Sequence, residues 1–291
     1  MEHHRHYYLF LINNIDIADD IKTIVKGLYF KNPRVLSDIN PHPRDRAIKF
    51  YEVGHKYDLT HPVTKKVLNP VSVTTLIHHY FPDFDADAVI AKMMKSRNWP
   101  NSQYFGMAAE DIKAKWEKDK CAAADAGTQM HAGIEDYYNG LVVNNKVATS
   151  VEYSYFTRFW KDFSTMYPTF KPYRTEFLVW DEDFRNGSAL CGSIDFLLKD
   201  DKNNYIIMDW KRSKEIKFSN QYETGYRPFH MMDHCNYNHY TLQLNIYRHI
   251  LQTKYQMNVI FLKLVILHPN QQGFFAVPVR LMDMTQMWLQ L

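Results

Sequence analysis

The chain has 291 residues, a net charge of +3 with neutral histidines, 46% apolar residues and 15% aromatic ones. That length and apolar share exclude a disordered or fibrous chain and predict one large domain, or a core with an added subdomain. The near-balanced charge neither demands nor excludes a polyanionic partner, because binding depends on where the charge sits rather than on its sum.

Cys121, Cys191 and Cys235 are odd in number and widely spaced. This argues against a disulfide framework, a zinc ribbon and an iron–sulfur cluster, and points to a reducing, intracellular compartment. There is no run of 18 apolar residues and hence no expected transmembrane helix or membrane partner. The opening MEHHRHYYLF lacks a signal-peptide core, and Asp16, Asp19 and Asp20 argue against a transit peptide.

Residues 15–28 carry a helical stripe of Ile17, Ile21, Ile24, Val25 and Leu28. The proline-rich segment 32–44 predicts an extended connector. Residues 48–59 read as a hairpin around Gly54. A strand or turn then leads to a helix starting near Ser72 or Thr74, and another helix spans 85–97 with Asp85 as its cap. Residues 106–138 favour helix, and Gly127 divides them into an exposed helix and a buried one. A further helix fits 150–166.

After Pro168 the period changes. RTEFLVWD, LCGSIDFLLKD and NYIIMDWKR are three β-rich runs, separated by the turn-like DEDFRNGSA and DKNN. They predict an antiparallel meander. Residues 212–238 are irregular, and 239–256 form an amphipathic helix with Leu242, Ile246, Leu251 and Tyr255 near one face. Two last strands and a short helix follow. The expected fold is α+β: an α/β sandwich with a mixed central sheet flanked by helices, plus an N-terminal helical and hairpin region.

Asp195 interrupts an apolar strand, and Asp209 and Lys211 end the next one. Residues two apart on a strand share a face, so Asp209 and Lys211 project together, and the meander brings Asp195 beside them. Two carboxylates side by side repel, and a buried charge is costly unless it is paired or metal-bound. Hard oxygen ligands suit Mg²⁺. On its own, the fragment reads equally as a structural Asp–Lys ion pair. His131 and Glu135 stand four apart on one helix face, next to Gly127 and Thr128, which allow close packing against a sheet. Taken alone, such a pair is ordinarily a core histidine and a surface glutamate. Gln243 and Tyr247 are likewise four apart, ordinarily a flanking polar residue and a packing tyrosine. His230, His234, Cys235 and His239 crowd together but have no C-x₂-C partner, which disfavours zinc.

In order, these residues read G-T-x-x-H-x-x-x-E (127–135), E (176), G-x-I-D (192–195), D-W-K (209–211) and Q-x-x-x-Y (243–247). Five pieces in this order resemble the PD-(D/E)XK nuclease superfamily, in its RecB-like and lambda-exonuclease-like branch, over roughly residues 120–280. SVTTLI after a short hairpin also resembles phage and large-virus members. The resemblance implies a restriction-endonuclease-like core at 121–291. Residues 1–45 would be an appendage and connector, and 46–120 a hairpin and helical region shaping the groove.

It further implies a Mg²⁺-dependent deoxyribonuclease, with Mn²⁺ able to substitute, acting as an exonuclease in DNA recombination, repair or replication. His131, Asp195 and Asp209 would be side-chain metal ligands, and the Trp210 carbonyl a backbone ligand. Lys211 would be the catalytic lysine. Glu176 would support the metal ligands or bind a second ion, and Glu135 would serve a second ion or face solvent. Gln243 would orient the lysine or substrate, while Tyr247 and Thr128 would line the DNA path. Arg212 and Lys214 would contact phosphates, or form a solvated charge run. A DNA-containing compartment and a single-strand-binding or annealing partner protein fit this role. An RNA endonuclease with a similar site, and a catalytically silent DNA-binding subunit on the same fold, are the competing readings.

Overall fold

A computed structural model describes residues 35–185, 188–288 and 290–291. The stripe expected at 15–28 lies outside the described residues. From residue 35, the connector expected to be extended is folded instead. Helix α1 (Leu36–Ile39) is followed by a 3-10 turn at Pro43–Ala47. Pro43 opens that turn, where its missing N–H has no partner to lose. His42 and Asp45 cap it, the His42 ring accepting from the Arg44 N–H and Asp45 from the His42 N–H.

β1 (Ile48–Tyr51) and β2 (Lys56–Thr60) form the hairpin expected around Gly54. Its φ of +82° is one that glycine adopts without penalty. β3 (Val67–Ser72) leads into α2 (Val73–His78), capped by the Ser72 hydroxyl on the Thr75 N–H. Asp85 caps α3 (Ala86–Met94) in the same way, as expected. The expected division at Gly127 is absent, because α4 (Ala109–Tyr138) is one 30-residue helix. A single interior glycine costs only about 1 kcal/mol, and the Ala-, Glu- and Lys-rich flanks carry the helix through it.

After α5 (Asn145–Ala148), helix α6 (Val151–Met166) buries Phe156, Phe159 and Phe163 from one face. β4 (Lys171–Arg185), β5 (Ser188–Lys199) and β6 (Asn204–Lys211) then form the expected antiparallel meander. The DEDFR segment, expected in a turn, continues β4. Asp181 pairs in register with Leu190 and Arg185 with Ser188, and the buried Asp181 carboxylate meets Lys254 at 3.1 Å. Next come α7 (Asn236–Lys254), β7 (Asn258–Ile266), β8 (Phe275–Val279) and α8 (Thr285–Trp288).

The expectation of an amphipathic α7 needs correction, since Thr241, Gln243 and Asn245 are buried along with its apolar residues. Segments remote in sequence cover the outer face. Asn245 donates to the Arg280 carbonyl and accepts from the Met282 N–H, so its polar groups are satisfied.

The sheet runs β1-β2-β3-β5-β6-β7-β8, with β4 also paired to β5. The β3–β5 and β6–β7 pairs are parallel and the others antiparallel, which makes the sheet mixed. One core cluster joins it to α2 and α7. A second, rich in Phe and Trp, joins it to α4 and α6. Each such buried side chain contributes on the order of 1.5–3 kcal/mol. No helix among the described residues is long and apolar enough to cross a membrane.

One feature of this sheet positions the site. β4 occupies one edge of β5, while β3 and β6 share the other. β3 pairs with Ser188–Cys191, and β6 with Phe196–Lys199. β3 runs parallel to β5 and β6 antiparallel, so their C-terminal ends approach residues 192–195 from opposite sides. Such a fork opens a crevice at the carboxyl ends of strands.

Candidate metal centre

At the fork, Asp195 Oδ2 accepts from the Trp210 N–H at 2.9 Å. Asp209 and Lys211 project together from β6 as their spacing predicts, and form a 2.7 Å ion pair. The Lys211 ammonium also lies 4.8 Å from the centre of the Tyr240 ring on α7. Glu176 stands opposite Asp195 in the β4–β5 register, between the Thr175–Phe196 and Phe177–Ile194 pairs. Its φ is +42°. That left-handed conformation costs a non-glycine residue on the order of 1–3 kcal/mol, and the ladder on both sides holds it. Ser193 donates to Glu176 Oε2 at 2.8 Å.

His131 reaches the same point from α4. Its Nε2 lies 3.0 Å from the Trp210 carbonyl oxygen. A carbonyl only accepts, so Nε2 carries the proton and Nδ1 faces the acids. Nδ1 lies 3.7 Å from Glu176 Oε1 and 3.6 Å from Asp195 Oδ2. The backbone hydrogen bond thereby sets the ring's orientation, as it commonly does for a metal-binding histidine.

The electrostatics record an excess of acid. Burial, then the nearby Asp209 charge, push the Asp195 carboxyl up to about 7. Burial and Glu176 push Glu135 up to about 7 as well. Burial works against a charge on His131, but Asp195 and Glu176 outweigh it and raise the imidazole to about 9. For Lys211, burial is likewise outweighed by Asp209 and Asp195, so its pKa rises and it stays a cation. The neighbouring acids thus favour a protonated His131.

His131, Glu176 and Asp195 each offer one ligand atom, all within 4.8 Å of one another. Octahedral Mg²⁺ with ligands at about 2.1 Å sets adjacent donors about 3.0 Å apart and opposite ones about 4.2 Å apart. The two separations from Nδ1, 3.7 and 3.6 Å, are on this scale, so the group could hold a divalent ion after small side-chain shifts. One nitrogen with two carboxylates suits Mn²⁺ as well as Mg²⁺.

The other expected residues are placed variously. Asp209 is not one of that group of three, its oxygen being tied to Lys211. The Trp210 carbonyl is within the site but accepts from His131. Glu135 is half-buried one turn beyond His131. Gln243 and Tyr247 lie beneath the site rather than on a surface, at 9% and 3% exposure. Gln243 Nε2 is 3.5 Å from the Tyr247 hydroxyl, and the Tyr247 ring fills the space beside Gly192, where an added Cβ would meet its hydroxyl at 2.5 Å. Arg212 is taken up by Glu152 at 2.7 Å, and Lys214 is exposed. Thr128 is also exposed, and a Cβ on Gly127 would meet nothing within 4 Å, so this pair is not a close-packing point. On this helix that role belongs to Gly133, against Val147.

Ser193 and Tyr240 are site residues that the sequence reading missed. Both had a positional signal: Ser193 is two before Asp195 on a strand, and Tyr240 three before Gln243 on a helix.

No protein-family model and no curated protein matches the chain. Among solved structures, it is similar to the crystal structure of SSO0001 at 16% identity and a TM-score of 0.33, over 77% of this chain and 73% of that one. It is also similar to a protein from Eubacterium rectale described as "Putative exonuclease", at 12% identity and a TM-score of 0.35, over 71% of this chain and 77% of that one. Likenesses this remote fix neither family nor activity, and the chemistry of the site rests on its own residues.

Proposed function

We propose that the protein is a metal-dependent nuclease of the PD-(D/E)XK type that hydrolyses DNA phosphodiester bonds, with Mg²⁺ as its ion and Mn²⁺ able to substitute. One observation carries this reading. His131, Glu176 and Asp195 converge at a strand fork with surplus negative charge, beside a lysine held by its own aspartate. His131, Glu176 and Asp195 would hold the ion. When bound, such an ion neutralises charge on the scissile phosphate and makes a water more acidic.

The residues divide the remaining work. Lys211 stays protonated, so it acts as a donor and a positive charge and not as a base. Its ammonium can orient the attacking water or stabilise charge developing on the phosphoryl oxygens. Asp209 fixes its position. The water oxygen bonds to phosphorus and releases a proton to solvent, the ester P–O bond breaks, and the leaving oxygen takes a proton from solvent. A degenerate, silent copy of such a site tends to lose one of these charges, whereas Asp195, Asp209 and Lys211 are all present.

The test is incubation of end-labelled DNA and RNA, single- and double-stranded, free or blocked at each end, with Mg²⁺, Mn²⁺, Ca²⁺ or chelator. DNA cleavage is expected with Mg²⁺ and Mn²⁺, with little turnover in Ca²⁺, whose looser geometry aligns a water poorly. Loss of label from unblocked ends alone identifies an exonuclease. Full cleavage in chelator would overturn the metal assignment, and cleavage of RNA only would replace the substrate.

A further inference from the structure

We infer that a cleft formed by residues 93–102 is an accessory binding site, remote from the metal centre, that holds one unpaired base of a nucleic-acid strand together with its phosphate. This inference rests on the nuclease reading above and adds a second point at which the substrate is gripped.

The cleft has a volume of about 400 Å³ and is lined by Met93, Ser96, Asn98, Trp99, Asn101 and Ser102. That is the small end of the range for ligand sites, which combine apolar walls with a few fixed polar groups. The backbone around it is pinned. Pro100 sits in a 3-10 turn (Trp99–Asn101). The Trp99 N–H donates to the Ser96 carbonyl, the Asn101 N–H to that of Asn98 and the Ser102 N–H to that of Trp99. The Phe105 ring braces the Trp99 indole edge-on at 6.0 Å. Tyr104 ties the cleft to α4, its hydroxyl accepting from the Trp116 indole N–H at 2.9 Å. Trp116 precedes His131 on α4 by about 22 Å of helix, so the cleft is separate from the metal centre.

The lining matches a base. Trp99 is half-buried, and an indole face stacks on any base. Among the described residues, Asn98 and Asn101 use only backbone groups in hydrogen bonds, which leaves both side-chain amides for a ligand. The Ser96 and Ser102 hydroxyls accept from the Asn98 and Tyr104 N–H groups, so each keeps its own proton to donate. Amides and hydroxyls are the side-chain groups that pair with base edges.

The rim matches a phosphate. Between Asp87 and Glu110 the chain carries Lys92, Lys95 and Arg97 and no acid, in a protein whose total charge is nearly balanced. Lys95 and Arg97 are exposed and form no ion pair among the described residues. A base within a duplex has its faces stacked and its edge paired, so the cleft is matched to an unpaired one.

The experiment titrates the full chain in chelator, so that nothing is cut, against a labelled single strand of about fifteen nucleotides, the blunt duplex of the same sequence, and each nucleoside monophosphate. Trp99→Ala should weaken single-strand binding roughly tenfold, the contribution of one stacked base, and Trp99→Phe should keep most of the affinity. Asn98→Ala combined with Asn101→Ala, both at exposed positions, should weaken it roughly fivefold with unchanged melting. This second variant keeps the test decisive if the first folds poorly. Unchanged single-strand affinity in both variants overturns the cleft, and an equal loss for the duplex overturns recognition of an unpaired base. Nucleoside monophosphates should bind far more weakly than the strand. If they bind as tightly, and lose affinity with Trp99→Ala, the occupant is a free nucleotide and the strand is excluded. With Mg²⁺, the KM for the strand should rise in Trp99→Ala by the same factor as its Kd. Wild type that binds the strand through Trp99 but never cleaves it would sink the nuclease reading and leave the cleft, whereas cleavage with wild-type KM in both variants sinks the cleft alone.

Discussion

Two charged clusters lie along β4, and they are built on opposite principles. Around Arg44 and Arg174, every charge has a partner: Arg44 meets Glu182 at 2.6 Å, Arg174 meets Asp45 at 2.8 Å, and the Arg44 guanidinium lies 3.6 Å over the Trp180 ring. Burial works against the Glu182 charge, yet the hydrogen bond from Arg44 holds its carboxyl below the usual range. Around Asp195, by contrast, Glu135, Glu176 and Asp209 outnumber His131 and Lys211, and the Asp195 carboxyl is pushed up to about 7. A balanced cluster leaves no net charge to be neutralised. A surplus of buried acid is stabilised by an added cation, and that imbalance supports the proposed metal site.

Each side of that comparison can be broken. A large effect on rate is expected from Lys211→Ala, which should slow cleavage roughly 10²- to 10³-fold while metal binding persists. Rate assays on folded protein check this, and a near-normal rate would mean that the chemistry lies elsewhere. Arg174→Ala removes the ion pair of Asp45, which keeps only its bond from the His42 N–H, and should cost about 1–3 kcal/mol in denaturant unfolding. Its metal dependence per folded molecule should be unchanged, because the balanced cluster shares no ion pair with the proposed metal site.

Asp195→Asn should do the opposite of Arg174→Ala, abolishing cleavage but stabilising the metal-free fold by about 1–3 kcal/mol at mildly alkaline pH. The sign follows from the shifts. Asp195 rises on folding from 3.8 to about 7, so its charged form penalises the fold increasingly as pH climbs through that window. His131 rises from 6.5 to about 9, so its contribution is full below 6.5 and lost as pH passes 9. Melting of metal-free wild type should therefore fall toward alkaline pH, and Mg²⁺ should restore most there. A flat profile would refute the acid surplus.

The smallest effects separate two glycines on α4. Gly127→Ala should stabilise by about 0.5–1 kcal/mol, since the methyl meets nothing. Gly133→Ala drives a Cβ to 2.4 Å from Val147 and should destabilise by about 1–3 kcal/mol. Equal effects on melting would contradict the open space beside the site.

The meander was legible because strand alternation and turn residues are local signals, and so were the caps at Ser72 and Asp85. The pairing of Asp209 with Lys211 was legible for the same reason, since a two-residue spacing on a strand fixes a shared face. Gly127 misled twice. It neither divides α4 nor packs against the sheet, because a glycine's effect depends on what surrounds it. Tyr247, read as lining the DNA path, lies in the core, and Arg212, read equally as a phosphate contact or a solvated charge, is paired with Glu152.

The β1–β2 hairpin, the strands β4 to β8, the helices α2, α3, α6 and α7, and the identity of the acids, histidine and lysine on the core elements were thus determined by the chain's own periodicities and motifs. Tertiary structure alone decided how they meet. The His131 ring is set by a carbonyl 79 residues away, Glu176 is held at a φ that no local preference selects, and Tyr240 is brought under Lys211 from another element. The fork itself exists only because β3 and β6 share one edge of β5. Such contacts are chosen by the packing of whole faces and the closure of long loops, and neither leaves a period in the sequence.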